Sequence, residues 1–138
     1  MLIDVLRFTI YDYPVIPLHL KLSGFLSYCD PVEVDFSSFD LACISGSNGA
    51  GKSSLLDAIT WALFGQARKR DEAVINLQSK AAEVSFTFAY ETNIYRALRS
   101  LTRGKTTTLE FQIAEGGNPQ SSIINQQLTW RPDRRAHV

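Results

Sequence analysis

The chain has 138 residues, of which 45% are apolar and 20% charged, and its fourteen basic and fourteen acidic side chains leave a formal net charge of zero. That length and balance fit one soluble globular domain with a buried core; they exclude a disordered chain and one drawn to nucleic acid or to an acidic membrane surface by its overall field. No run approaches 18 consecutive apolar residues, and Asp4, Arg7 and Asp12 fall where a signal-peptide core would have to lie, so the sequence reads as cytoplasmic, with no membrane partner.

In chain order, Pro14 and Pro17 break the opening segment, and strict apolar alternation predicts a first strand over Leu18 to Leu22, with His19 and Lys21 on its polar face. Val32, Val34 and Phe36 alternate after Asp30-Pro31 and predict a second strand paired with the first as a hairpin. Leu41-Ala42-Cys43-Ile44 reads as a short buried strand. From Ser53 to Phe64, Leu55, Leu56, Ile59, Ala62 and Leu63 recur at helical spacing, and Gly65 follows as a stop. Gln66 to Lys80 reads as a loop holding a short helical turn.

Three more strands follow closely. Val84, Phe86, Phe88 and Tyr90 share a face of the first; Tyr95, Ala97 and Leu101 alternate in the second; Leu109, Phe111 and Ile113 share a face of the third. Glu91-Thr92-Asn93 and Arg103-Gly104-Lys105 are the turns between them, short enough to force antiparallel neighbours. The stretch Gly116-Gly117-Asn118-Pro119 ends the last strand, and residues 131–138 carry no apolar period. Cys29 and Cys43 are too few for a disulfide framework or a four-ligand zinc site.

One motif carries chemistry. Gly46-Ser47-Asn48-Gly49-Ala50-Gly51-Lys52-Ser53 fills the phosphate-loop pattern G-x-x-x-x-G-K-[ST] without a mismatch, between the short apolar strand and the helix. Glycines let the backbone curl so that consecutive N–H groups face inward as a nest for phosphate oxygens, and the helix N-terminus adds its unpaired N–H groups and dipole. Lys52 then brings a point charge to the β/γ-phosphates, the Ser53 hydroxyl can ligate Mg²⁺, and Ser54 caps the bound anion. The motif therefore calls for a bound nucleotide with Mg²⁺, and the resemblance described next implies that the nucleotide is ATP.

Around this motif the residues resemble the ATPase heads of SbcC, a DNA-repair nuclease subunit, and of its structural-maintenance-of-chromosomes (SMC) relatives. The resemblance rests on Leu22-Ser23-Gly24-Phe25-Leu26-Ser27-Tyr28, on Val34-Asp35-Phe36, on Ile44 through Ile59 with its Asp57-Ala58-Ile59 ending, and on Trp61-Ala62-Leu63-Phe64-Gly65. It covers roughly residues 17–115. It implies an α/β P-loop NTPase of the ABC-ATPase head type, of which this chain is the N-terminal lobe: an antiparallel β-subsheet, the phosphate loop and the following helix. Residues 1–16 would then be an extension and 116–138 a tail.

The same resemblance implies an ATPase acting in double-strand break repair and DNA-end processing in the nucleoid, with an SbcD-like nuclease, DNA and a second ATPase head as partners. It adds Ser27 to the nucleotide contacts and places leucine, Leu26, where related heads often carry a basic residue. No apolar run ending in Asp-Glu, no Ser-x-Gly-Gln/Glu signature and no heptad tract is found, so no catalytic residue is assigned within the chain and it is expected to bind ATP without turnover of its own. A RecF-like or RecN-like repair ATPase, or an ATP-binding fragment without catalysis, are the alternatives.

Overall fold

In the computed structural model the described residues are 4–5, 8–10, 13–36, 43–44, 52–115 and 129–132. Strand β1 (Asp4–Val5) pairs antiparallel with β5 (Cys43–Ile44) in a small sheet of its own. The main sheet has seven strands, β2 (Phe8–Ile10), β3 (Tyr13–Ser23), β4 (Val32–Asp35), β6 (Ala81–Tyr90), β7 (Asn93–Thr102), β8 (Thr108–Glu115) and β9 (Thr129–Pro132). Its order is β2-β3-β6-β7-β8-β9, with β4 also paired to β3 and every pair antiparallel. The expected hairpin of the first two strands and the three-strand meander are present.

The strand expected at Leu18 begins earlier, at Tyr13, and runs through both prolines. Proline lacks the N–H that a regular ladder needs. Here Pro14 faces the three-residue strand β2, and the register with β6 shifts between Pro17 and His19, the irregularity at which proline is tolerated. His19 and Lys21 share the face away from the helix, where both approach Glu33, at 3.8 Å and 3.6 Å, but the expected alternation holds only from His19 on: the register shift turns Leu18 away from Leu20 and Leu22, onto Ala89 and Ile94.

Register explains the core. Leu20 lies across from Phe86, which faces Ala97, which faces Phe111; Leu22, Val84, Arg99 and Leu109 form the next such row. Helix α1 (Lys52–Phe64) lies on this face and buries Ala58, Ile59, Trp61, Ala62 and Leu63 against it. Each fully buried large apolar side chain contributes about 1.5–3 kcal/mol, so these rows and this stripe are the main source of stability. Trp61 packs on Phe25 with ring centroids 5.2 Å apart. Gly65 closes the helix at φ +71° with its N–H on the Trp61 carbonyl at 2.8 Å, the left-handed stop that a glycine adopts without strain.

A smaller cluster of Leu18, Ala89 and Ile94 occupies the other face, with Ala114 and Trp130 packed on it. There the Arg96 guanidinium lies 4.2 Å from the Trp130 ring centroid and donates to the Gln112 side-chain oxygen. Burial lowers the Arg96 pKa from its usual value, and Glu110 partly offsets that.

Candidate nucleotide site

Residues 45–51 join β5 to α1, so Gly46, Ser47, Asn48, Gly49, Ala50 and Gly51 lie outside the described residues. Lys52 and Ser53 open α1, where the first N–H groups of a helix have no partner within the helix. Among the described side chains, Ser54 and Ser27 are the sequence-expected contacts, and the structure brings them together. The Ser54 hydroxyl, fully buried in the first turn of α1, donates to the Ser27 hydroxyl at 3.0 Å across 27 residues of sequence.

Ser27 is held there by a two-residue turn. Phe25 and Tyr28 exchange N–H to carbonyl bonds, both at 2.9 Å, and Leu26 between them takes a left-handed φ of +48°. A non-glycine residue in that conformation costs about 1–2 kcal/mol, and fixed contacts hold it. The Leu26 N–H donates to the Val74 carbonyl at 2.8 Å, its carbonyl accepts from the Asn76 amide at 2.6 Å, and its side chain is buried in the core. Two residues before Leu26, Gly24 has φ +62°, and a Cβ there would lie 2.0 Å from the Ala81 carbonyl oxygen. Glycine at 24 is therefore required by both the dihedral and the close approach of backbone.

The loop after α1 supplies what the sequence reading missed. Arg68 folds back along the helix: its Nε lies 3.1 Å from Asp57 Oδ2, its main-chain N–H donates to Asp57 Oδ1 at 3.3 Å, and its Nη2 donates to Ser54 Oγ at 3.0 Å. A basic loop following a helix is expected to soften the C-terminal dipole, but this arginine reaches the first turn instead. The only sequence signal was its closeness to the Gly65 stop, which fixes where the chain turns but not its direction. Leu26, Ser27, Arg68 and Lys69 line one open groove.

Two other cations have structural work. Arg99, on the helix-facing side of β7, places its guanidinium 5.9 Å from the Trp61 ring centroid; burial lowers its pKa, and its Nε has no hydrogen-bond partner among the described residues. Arg103 donates to the carbonyls of Ser79 at 3.1 Å and Asn76 at 3.2 Å, fastening the turn after the 3₁₀ segment Asp71–Val74. Among the described residues no group of three or more His, Cys, Asp and Glu side chains is placed to hold a metal ion, and no helix is long and apolar enough to cross a membrane.

A family model described as an AAA domain matches residues 19–134. The chain is 38% identical over 93 residues to the SbcC subunit of the nuclease SbcCD from Deinococcus radiodurans, covering 64% of this chain and 10% of that protein. It is 38% identical over 103 residues to the Staphylococcus aureus (strain MRSA252) protein of the same name, covering 66% of this chain and 10% of that one. The chain thus spans about a tenth of the length of the curated relatives it matches, and it is SbcC-like over most of its own.

Proposed function

The chain belongs to the AAA domain family, and from that premise we propose that it is the ATP-binding N-terminal lobe of an SbcC-like ATPase in DNA double-strand break repair. The observation that carries this reading is the unbroken phosphate-loop pattern from Gly46 to Ser53, set between a short strand and the N-terminus of α1. The buried Ser54 hydroxyl beside that N-terminus, bonded to the exposed Ser27 hydroxyl at 3.0 Å, supports it by bringing together the two serines expected at the nucleotide.

In this reading the backbone N–H groups of residues 46–51 cradle the phosphates, Lys52 supplies the cation at the β/γ end and the Ser53 hydroxyl ligates Mg²⁺. P-loop sites hold Mg²⁺ through the loop serine together with an acidic residue after an apolar strand, and of these two this chain would supply the Ser53 hydroxyl. The metal's chemistry is to neutralise charge on the phosphate oxygens. Hydrolysis needs in addition a carboxylate to polarise water, and no residue of this chain is assigned that task. The partners in this reading are an SbcD-like nuclease subunit, a second ATPase head closing over the nucleotide, and DNA.

The test is Lys52→Ala in the intact protein. Charge-assisted phosphate contacts are each worth about 1.5–3 kcal/mol, so MgATP affinity should fall roughly tenfold to more than a hundredfold. Calorimetric titration giving the wild-type affinity would overturn the assignment.

A further inference from the structure

We propose that Asn76 is a two-sided link, tying the exposed tip between β7 and β8 to the turn that carries Ser27, so that displacing the tip loosens the turn. Every polar group of Asn76 is engaged, and the engagements face two ways. Towards the turn, its main-chain N–H donates to the Gly24 carbonyl at 2.8 Å and its side-chain amide donates to the Leu26 carbonyl at 2.6 Å. Towards the tip, its carbonyl accepts from Arg103 Nη2 at 3.2 Å, beside a bond from the Ser79 N–H at 2.9 Å. Its Oδ1 accepts from the Gln78 N–H at 2.9 Å, which fixes the side-chain amide on Leu26.

The tip holds the same segment at three further points. Arg103 Nε donates to the Ser79 carbonyl at 3.1 Å, the Arg103 N–H to the Lys80 carbonyl at 3.0 Å, and the Gly104 N–H to Glu72 Oε1 at 2.6 Å. All but the last end on main-chain carbonyls, so a displaced tip pulls on backbone rather than on side chains that can rotate away. The turn is built to respond. Leu26 keeps its left-handed φ of +48° through its bonds to Val74 and Asn76, and once those are released less strained conformations are open to it. A tip that served only to reverse the chain would need no more than its own closing bond, which the Lys105 N–H makes to the Thr102 carbonyl at 3.0 Å. None of these bonds involves residues 45–51, so the link stands or falls apart from the phosphate-loop reading.

The experiment is hydrogen exchange in the intact protein, followed at the main-chain N–H groups of residues 24–28 and, for reference, of residues 84–88 in β6. Arg103→Met keeps the stem and removes both guanidinium bonds. Losing one net hydrogen bond shifts a local opening equilibrium by about twofold to tenfold, so Arg103→Met should speed exchange at 24–28 by about fivefold while the reference holds. Asn76→Ala, which frees the Leu26 carbonyl, should speed it at least as much. Because both act through one link, the double variant should show less than the product of the two single effects. Unchanged exchange at 24–28 in Arg103→Met, or a double variant equal to that product, overturns the link. An equal rise in the β6 reference does so too, since it marks a loss of global stability rather than a release of the turn. If circular dichroism shows Asn76→Ala unfolded, Asn76→Asp, which keeps the Oδ acceptor and loses the amide donor, takes its place and is read by the same criteria.

Discussion

In the sheet, neighbours along the chain are neighbours in space: β6, β7 and β8 follow one another through short turns and pair in sequence order. At the corner beside the first turn of α1, by contrast, Ser27, Ser54 and Arg68 meet from three separate segments through hydroxyls and a guanidinium. The sheet draws its stability from apolar rows, where one more or one fewer methyl group is an incremental loss. The corner depends on a few directional bonds and on backbone held in sparsely populated conformations, where one substitution removes the whole arrangement. The two regions share one joint: Gly24, whose N–H and carbonyl bond Cys29 and Asn76 while its Cα faces the start of β6.

That joint gives the largest expected effect. In Gly24→Ala the new Cβ would sit 2.0 Å from the Ala81 carbonyl oxygen at φ +62°, so backbone must move. Gly104 is the control, since its φ of +79° is equally left-handed but a Cβ there meets nothing within 4 Å. Gly104→Ala should therefore cost only the strain, about 1–2 kcal/mol, and Gly24→Ala about 3 kcal/mol or more with loss of nucleotide binding. Urea unfolding of both variants checks this. Equal costs would mean that the Ser27 turn is not anchored on β6 and that the two regions are independent.

This division also explains how far the sequence could be read. The periods of 2 in Val84, Phe86 and Phe88 and of 3.6 in Leu55, Ile59 and Leu63 follow from repeated geometry, so the strands and the helix were legible. The start of β3 was not, because the bulge that accommodates Pro17 depends on pairing with β6, about 70 residues away. Arg68 was illegible for a related reason: a long flexible side chain can reach either end of a helix, and the contact with Ser54 depends on the path of a loop without periodicity. The gap at position 99 in the alternation of Tyr95, Ala97 and Leu101 was visible, but not that an arginine would keep the core-facing side there.

Arg99 sharpens the comparison from the sheet side at a smaller scale. Its stem fills an apolar row beside Trp61, and its charge has lost part of its hydration, the cause of its lowered pKa. Arg99→Met keeps the stem and drops the charge, so stability should be unchanged or should rise by about 1 kcal/mol, because a half-buried cation gains little from one aromatic neighbour. Arg99→Ala loses the stem as well and should cost about 1–2 kcal/mol. If both variants lose the same amount, the charge rather than the packing is what this row needs. Nucleotide affinity should stay put in both, since Arg99 stands on β7, outside the phosphate-loop residues proposed to hold the nucleotide.

The smallest effect concerns the turn between β7 and β8, whose Arg103 and Lys105 suit either a contact for a DNA backbone or a solvated turn. The structure separates the pair. The Arg103 guanidinium is already bonded to the Ser79 and Asn76 carbonyls, whereas Lys105 stands exposed. Each neutralised phosphate contact contributes about 0.9 to the slope of log affinity against log salt on duplex DNA. Lys105→Gln in the intact protein should therefore flatten that slope by about one unit with the fold untouched if the turn meets DNA, and adding Arg103→Gln should remove roughly one more. Arg103→Gln also unfastens the turn after the 3₁₀ segment, so its effect on stability is measured beside its effect on the slope. A slope that stays fixed in Lys105→Gln makes this a solvated turn and leaves Arg103 as a brace that ties the end of the sheet to the segment behind Ser27.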